Sequence, residues 1–266
     1  MIPNWKVSRV TWRAPVLAAG LCLAAALAAT AQDGGAARPS ALASLVIWMP
    51  FILKGFGLNL LMSVLAMGFA TVMGVILGFM QISPVALIRV PARLVTHLFR
   101  NSPWLVILFA IMLLVPFQMT LPGVGRVMIP DWVKATFGFA LPVMANISEI
   151  LRGAVLSIPS GQWESAESLA FTRGQTLRHV ILPQCIRRML PPWMNWYALL
   201  TLMTPMAAIL GVDEALGNTQ AAMEAAGARP EFLIPFYLFL MTIFFVFIYP
   251  LSVYTRRLEK RFAVAS

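Results

Sequence analysis

Few side chains in this sequence are equipped for chemistry, and their spacing excludes most reactions. His97 and His179 stand alone, while Cys22 lies in an apolar run and Cys185 in a basic segment. None has the close partner that a metal site or a disulfide framework requires. No Ser/His/Asp constellation or His-rich motif falls within an apolar run, which argues against a membrane-embedded hydrolase. A phosphate-binding P-loop needs a Gly-Lys pair, and Lys6, Lys54, Lys134 and Lys260 all lack a preceding glycine. The chain is therefore not expected to hydrolyse ATP itself. What remains is a polar stretch, Gly161-Gln162-Trp163-Glu164-Ser165-Ala166-Glu167-Ser168-Leu169-Ala170, closed by Val180-Ile181-Leu182-Pro183. Its chemistry is recognition: a short soluble-looking helix with a defined end, set between apolar runs, for another protein to grip. Ser160 or Gly161 can start that helix, and Glu164 in its opening turn suits the positive end of the helix dipole. Pro183 is expected to interrupt the following helix.

The elements that position this insert are membrane helices. Hydrophobic residues make up 60% of the 266 and charged ones 11%, with a mean hydropathy of +0.81, whereas a soluble domain is about one-quarter charged. The net charge of +10 sits in short clusters beside apolar runs. That is the pattern of cytoplasmic membrane flanks, not the basic, aromatic-interleaved face of a nucleic-acid binder. Lys6, Arg9 and Arg13 precede an apolar stretch from Val16 to Thr30, the outline of a signal peptide or an uncleaved extra helix. A Gly/Ala/Pro-rich linker and a short interfacial helix over Ala41 to Leu53, closed by Lys54, are expected next. Core spans follow at about Leu58–Met80, Pro103–Met119, Ala135–Ile150, Leu190–Leu210 and Phe232–Tyr254, each long enough to cross or nearly so. Gly74 and Gly78 form a small-xxx-small pair suited to close helix approach.

Charge orients the layout. With the N-terminus, the Arg89–Arg100 loop, the insert and the C-terminus on one side, only Arg38, Lys54, Arg126, Lys134 and Arg229 of the 20 basic residues fall opposite. The first side is expected to be cytoplasmic. Asp213, Glu214, Glu224 and Glu231 are expected in a loop on the other.

The insert resembles the coupling loop of permease subunits of binding-protein-dependent ABC importers. That family carries Glu-Ala-Ala, three residues, Gly, nine residues, then Ile-x-Leu-Pro. Here Glu164-Ser165-Ala166, Ala170 and Val180-Ile181-Leu182-Pro183 keep the spacing, with Ser165, Ala170 and Val180 departing from the pattern. Ala170 is the departure of most consequence, because alanine resists the left-handed turn that glycine permits. The loop after the first short helix is accordingly expected to be more helical here. Phe99-Arg100-Asn101-Ser102-Pro103, Glu149-Ile150-Leu151-Arg152-Gly153, Ile158-Pro159-Ser160-Gly161-Gln162, Leu190-Pro191-Pro192 and Gly211-Val212-Asp213-Glu214 extend the resemblance to the polar amino-acid branch. One stretch departs: Leu202-Met203-Thr204-Pro205 stands where the family often has a Lys-Asp-Thr-Ser-like run.

The resemblance implies an all-α integral membrane protein with the five-helix core of the type I ABC importer permease fold, plus the N-terminal signal-like or extra helix. Its divisions are residues 1–31, a periplasmic linker with the short interfacial helix over 32–56, and the transmembrane domain over 57–262, with the coupling loop at about 151–189. It implies an inner-membrane location and import of polar amino acids or related small solutes. The implied partners are ABC ATPase subunits carrying ATP and Mg, a periplasmic solute-binding protein, and a second permease copy or paralogue. Coupling to the ATPase would rest on Glu164 as polar anchor, Ala166 as close-contact residue and Leu169 as apolar plug, with Ser165, Ala170, Leu182 and Pro183 completing the element. Asn59, Ser63, Asn146, Asn195, Thr201 and Thr204 are polar groups within spans that either line a solute pathway or hydrogen-bond between helices. Glu149 is expected to pair with Arg152 one helical turn on. The competing reading is an ion-gradient-driven secondary transporter or channel, which would place ionisable residues at mid-membrane depth.

Overall fold

The computed structural model describes residues 40–121 and 125–262; the expected segment 1–31 and most of the linker after it lie outside the described residues. Helix α1 runs unbroken over Ala41–Gln81, its first turn capped by the Ser40 hydroxyl, which accepts from the Ala43 N–H. The separate interfacial helix is thus corrected, and the expected boundary at 56/57 falls inside α1. Lys54 does not end the helix because it lies on an exposed face, where a long apolar stem carries its ammonium clear. The inward face beside it, Ile52, Gly55 and Asn59, stays buried.

Helix α2 spans Ala86–Asn101 and α3 Trp104–Leu114, and the two meet at 107°. Pro103 forces the break: the residue before a proline is pushed to extended backbone, and Ser102 has φ −84° and ψ 140°. Pro116 acts likewise on Val115, which ends α3. The expected span to Met119 is therefore corrected to 11 residues, about 16 Å of helix. The chain then makes an antiparallel hairpin, β1 Gln118–Leu121 with β2 Gly125–Met128, Gln118 opposite Met128.

Helix α4, Asp131–Leu156, is the centre of the bundle and packs along much of α1. Gly74 and Gly78 make this possible. A Cβ on Gly74 would lie 2.7 Å from the Met144 carbonyl oxygen, and one on Gly78 2.8 Å from Leu151 Cδ2. Backbones this close gain dispersion contacts that a larger residue would forbid. Around this seam gather Met62, Ala66, Ala70, Leu108, Phe139, Val143 and Leu200.

Beyond α4 come α5 (Ser160–Ser168), α6 (Arg173–Thr176), a π turn (Leu177–Ile181) and α7 (Leu182–Met203). A 3-10 segment, Thr204–Leu210, ends at left-handed Gly211. The expected acidic loop is corrected next: Ala215–Ala225 is helix α8, capped by the Glu214 side chain and packed on α1. Helix α9, Leu233–Phe262, closes the described chain. Among the described residues, three helices (41–81, 131–156 and the last) are long and apolar enough to cross a membrane. The two bent pairs, α2 with α3 and the 173–210 segment with α8, bring the number to five if each is one broken span.

Candidate functional site

The insert projects from the end of α4 as a small lever. Its anchor is apolar: Leu151, Ala154, Val155, Ile158, Ile181 and Cys185 form a buried cluster, against which Trp163, Leu177 and Leu182 pack. Two polar ties reinforce it. Gln184 Nε2 donates to Gln162 Oε1 at 3.1 Å, and Arg188 Nη1 donates to the Ser157 carbonyl at 2.7 Å. The first ties α5 to α7, and the second ties α7 to the end of α4.

The outer face of α5 is free. Glu164, Ser165 and Ala170 are exposed, and Leu169 is 71% exposed at the tip. Ala166 is 3% exposed; its close contact is with its own bundle. Leu182 is half-buried against the anchor cluster and Pro183 is exposed.

Two expectations about this loop are overturned. Ala170 adopts the left-handed region, φ +57°, rather than extending the helix. Its N–H donates to the Glu167 carbonyl at 2.8 Å and the Phe171 N–H to that of Ala166 at 3.1 Å, a Schellman closure. The hydrogen bonds, with Ala166 held inward, outweigh an alanine penalty of about 1 kcal/mol. Pro183 does not interrupt a helix either: α7 starts at Leu182, with Pro183 in its first turn. The π turn immediately before it widens the backbone where proline lacks a donor and its ring would crowd the preceding turn.

The polar groups within the spans are mostly spent internally. Asn59 Nδ2 donates to Thr204 Oγ1 at 3.0 Å and to Glu214 Oε2 at 2.7 Å, and Asn59 Oδ1 accepts from the Ala215 N–H at 2.9 Å. Ser63, Asn146 and Thr201 donate to carbonyls of Leu60, Pro142 and Tyr197 on their own helices. Asn195 alone of the six is exposed. Glu149 pairs with Arg152 at 2.8 Å, and Arg100 lies 3.5 Å away. Among the described residues no group of three or more His, Cys, Asp or Glu is placed to hold a metal.

Glu214 is the residue that sequence reasoning misplaced. It is fully buried and accepts from the Leu216 and Gly217 N–H groups, each at 3.0 Å, as well as from Asn59. An acid three residues before the Gly217-Asn218-Thr219 run was readable as a helix start, where it suits the positive end of the dipole. The lone Asn59 in an apolar run was its signal for a buried partner.

This geometry supplies a mounted, exposed helix at one end of a helical bundle. Residues 70–264 match the family described as binding-protein-dependent transport system inner membrane component. The chain is 34% identical over 214 residues to a probable amino-acid ABC transporter permease, YckA, of Bacillus subtilis (strain 168), covering 80% of this chain and 90% of that one. It is 29% identical to the L-cystine transport system permease TcyB of the same organism, covering 85% and 92%. A crystal structure of an amino acid ABC transporter with histidines superposes with a TM-score of 0.70 at 24% identity, covering 82% of this chain and 97% of that one.

Proposed function

The chain belongs to the binding-protein-dependent transport system inner membrane component family, a multi-pass membrane protein, and we propose that it is the pathway subunit of an ATP-driven importer of polar amino acids. ATP and Mg are bound by separate ATPase subunits, a periplasmic binding protein delivers the solute, and a second permease copy or paralogue completes the pathway. The amino-acid class is supported by relatives such as YckA. The positive-inside distribution supports a cytoplasmic insert and C-terminus.

The observation that carries the coupling role is the free outer face of α5 on a rigid mount. Glu164, Ser165 and Leu169 form the face that enters a groove on the ATPase. Ala166, with Trp163 behind it, holds the helix to the bundle. Ala170 closes the helix end, and Leu182 and Pro183 start the helix that carries the displacement into the bundle. Nucleotide-driven closure then moves α5 with α4 and α7 as a body. Asn195 is the pathway-lining candidate among the six polar groups; the others serve helix-to-helix or local bonding.

Glu164→Lys in the purified complex should leave ATP hydrolysis running while solute uptake falls to background. Uptake that stays coupled to hydrolysis would count against the assignment. Loss of the ATPase subunit should abolish uptake, which an ion-gradient-driven carrier would not show.

A further inference from the structure

Beside the insert lies a cleft of about 1080 Å³ that the coupling role does not use. Its walls come from the end of α1, from α2, from the end of α4, and from α5 and α6. Four arginines line it (Arg89, Arg93, Arg152 and Arg173), and no carboxylate does. Arg152 is answered by Glu149, and Arg89 reaches the carbonyl oxygens of Ser83 and Pro84 at 3.3 and 3.4 Å. Among the described residues, Arg93 and Arg173 have no carboxylate within 4.0 Å. Among the described residues the cleft is therefore a cationic chamber in which only Arg152 has a carboxylate partner.

The α2 helix that forms one wall has three faces. Ala92 and Thr96 are buried in the bundle. Positions 89, 93, 97 and 100 share one side, at the four-four-three spacing of a helix face, and carry Arg, Arg, His and Arg. The remaining side exposes Leu87 at 85%, Leu94 at 66% and Leu98 at 62%. Standing at 107° to α3, α2 lies near the membrane plane when α3 enters the bilayer. A basic, strongly amphipathic helix in that attitude sits at the headgroup level with its apolar side in acyl chains. The floor of the cleft is apolar as well, through Phe79, Ile82 and Val155, and Leu156 stands exposed at its edge.

From this geometry we infer that the cleft is a binding site for an anionic phospholipid. The phosphodiester headgroup pairs with Arg93 and Arg173, with Arg89 beside them, and the acyl chains follow the apolar side of α2 and Leu156. Charge complementarity selects an anion, and the adjoining apolar surface selects one that carries acyl chains. Because the site bridges α2 to α6, a bound lipid would brace the insert against the membrane surface. The inference needs the chain's place in a bilayer but not the direction of transport or the role of Glu164, so the two fail separately.

The test uses the complete transporter reconstituted in phosphatidylcholine nanodiscs with and without phosphatidylglycerol, with retained lipid measured by native mass spectrometry. Wild type should retain phosphatidylglycerol preferentially. Arg89→Gln with Arg93→Gln should weaken that retention about 30-fold, and Arg93→Gln alone about fivefold, at roughly one cationic contact per arginine. Arg93→Lys should keep most of it. The single variant and the lysine variant keep the question open to refutation if the double variant does not assemble. Equal retention in wild type and Arg93→Gln would overturn the proposal. So would saturable, Arg93-dependent binding of inorganic phosphate with no preference for phosphatidylglycerol, because the ligand would then be a soluble anion. Protection of Arg93 by the ATPase in the assembled complex, without retained lipid, would mark the cleft as a protein contact and overturn it equally.

Discussion

At the insert, Glu164 stands in water on a nine-residue helix, bonded to nothing through its carboxylate among the contacts of the described residues. At the joint between α1 and α8, Glu214 is wholly enclosed, and its carboxylate is filled by Asn59 and two backbone N–H groups. The same side chain is left open to solvent in one place and built into the fold in the other. The difference lies in what stands opposite. Glu164 faces open space; Glu214 faces the orphan donors of a helix start that has no water to satisfy them.

The comparison is most easily broken from the buried side. Glu214→Ala should destabilise the protein by about 3 kcal/mol, because it strands buried donors of Asn59 and α8 together; thermal unfolding of the purified complex measures this. Glu214→Gln keeps an acceptor and should lose less. A Glu214→Ala protein as stable as wild type would remove the distinction between the two sites. Next in size, Gly74→Leu should cost about 2 kcal/mol by overpacking the α1–α4 seam, seen as a lower unfolding temperature. Gly68→Leu, which meets open space, should change little and serves as its control. At the insert the effects shrink and one reverses. Ala170→Gly should stabilise the chain by about 1 kcal/mol, since glycine accepts a positive φ without steric cost. Smallest in stability is Glu164→Lys, within about 0.5 kcal/mol as for other exposed positions, although it is expected to abolish coupled uptake. An unfolding temperature that drops sharply in Glu164→Lys would make that residue structural after all.

The legible parts were those written in runs and punctuation. The apolar stretches marked the long helices, Gly74 and Gly78 marked a close seam, and Glu149 and Arg152 marked a pair one turn apart. The illegible parts were balances between distant or opposing terms. Lys54 looked like a boundary because a charge interrupts hydropathy, but it does not interrupt a helix. Ala170 looked helical by its own preference, and two hydrogen bonds to α5 overrode it. Asp213 and Glu214 looked like loop because acids are expected in water. Only one of the two is sealed against an asparagine 155 residues away.

By itself the sequence determined the solvent of this protein, the order of its apolar runs, the position of a polar helix between two of them, and the family pattern that helix carries. These follow from local quantities: hydropathy summed along a run, and side chains at set spacings. The tertiary structure alone decided that α1 is one helix and that Ala166 faces in while Leu169 faces out. It also decided that Glu214 is enclosed and that four arginines from three helices surround one cleft. Each of these depends on which surfaces meet, and a contact between segments far apart in the chain is not specified by either segment read separately.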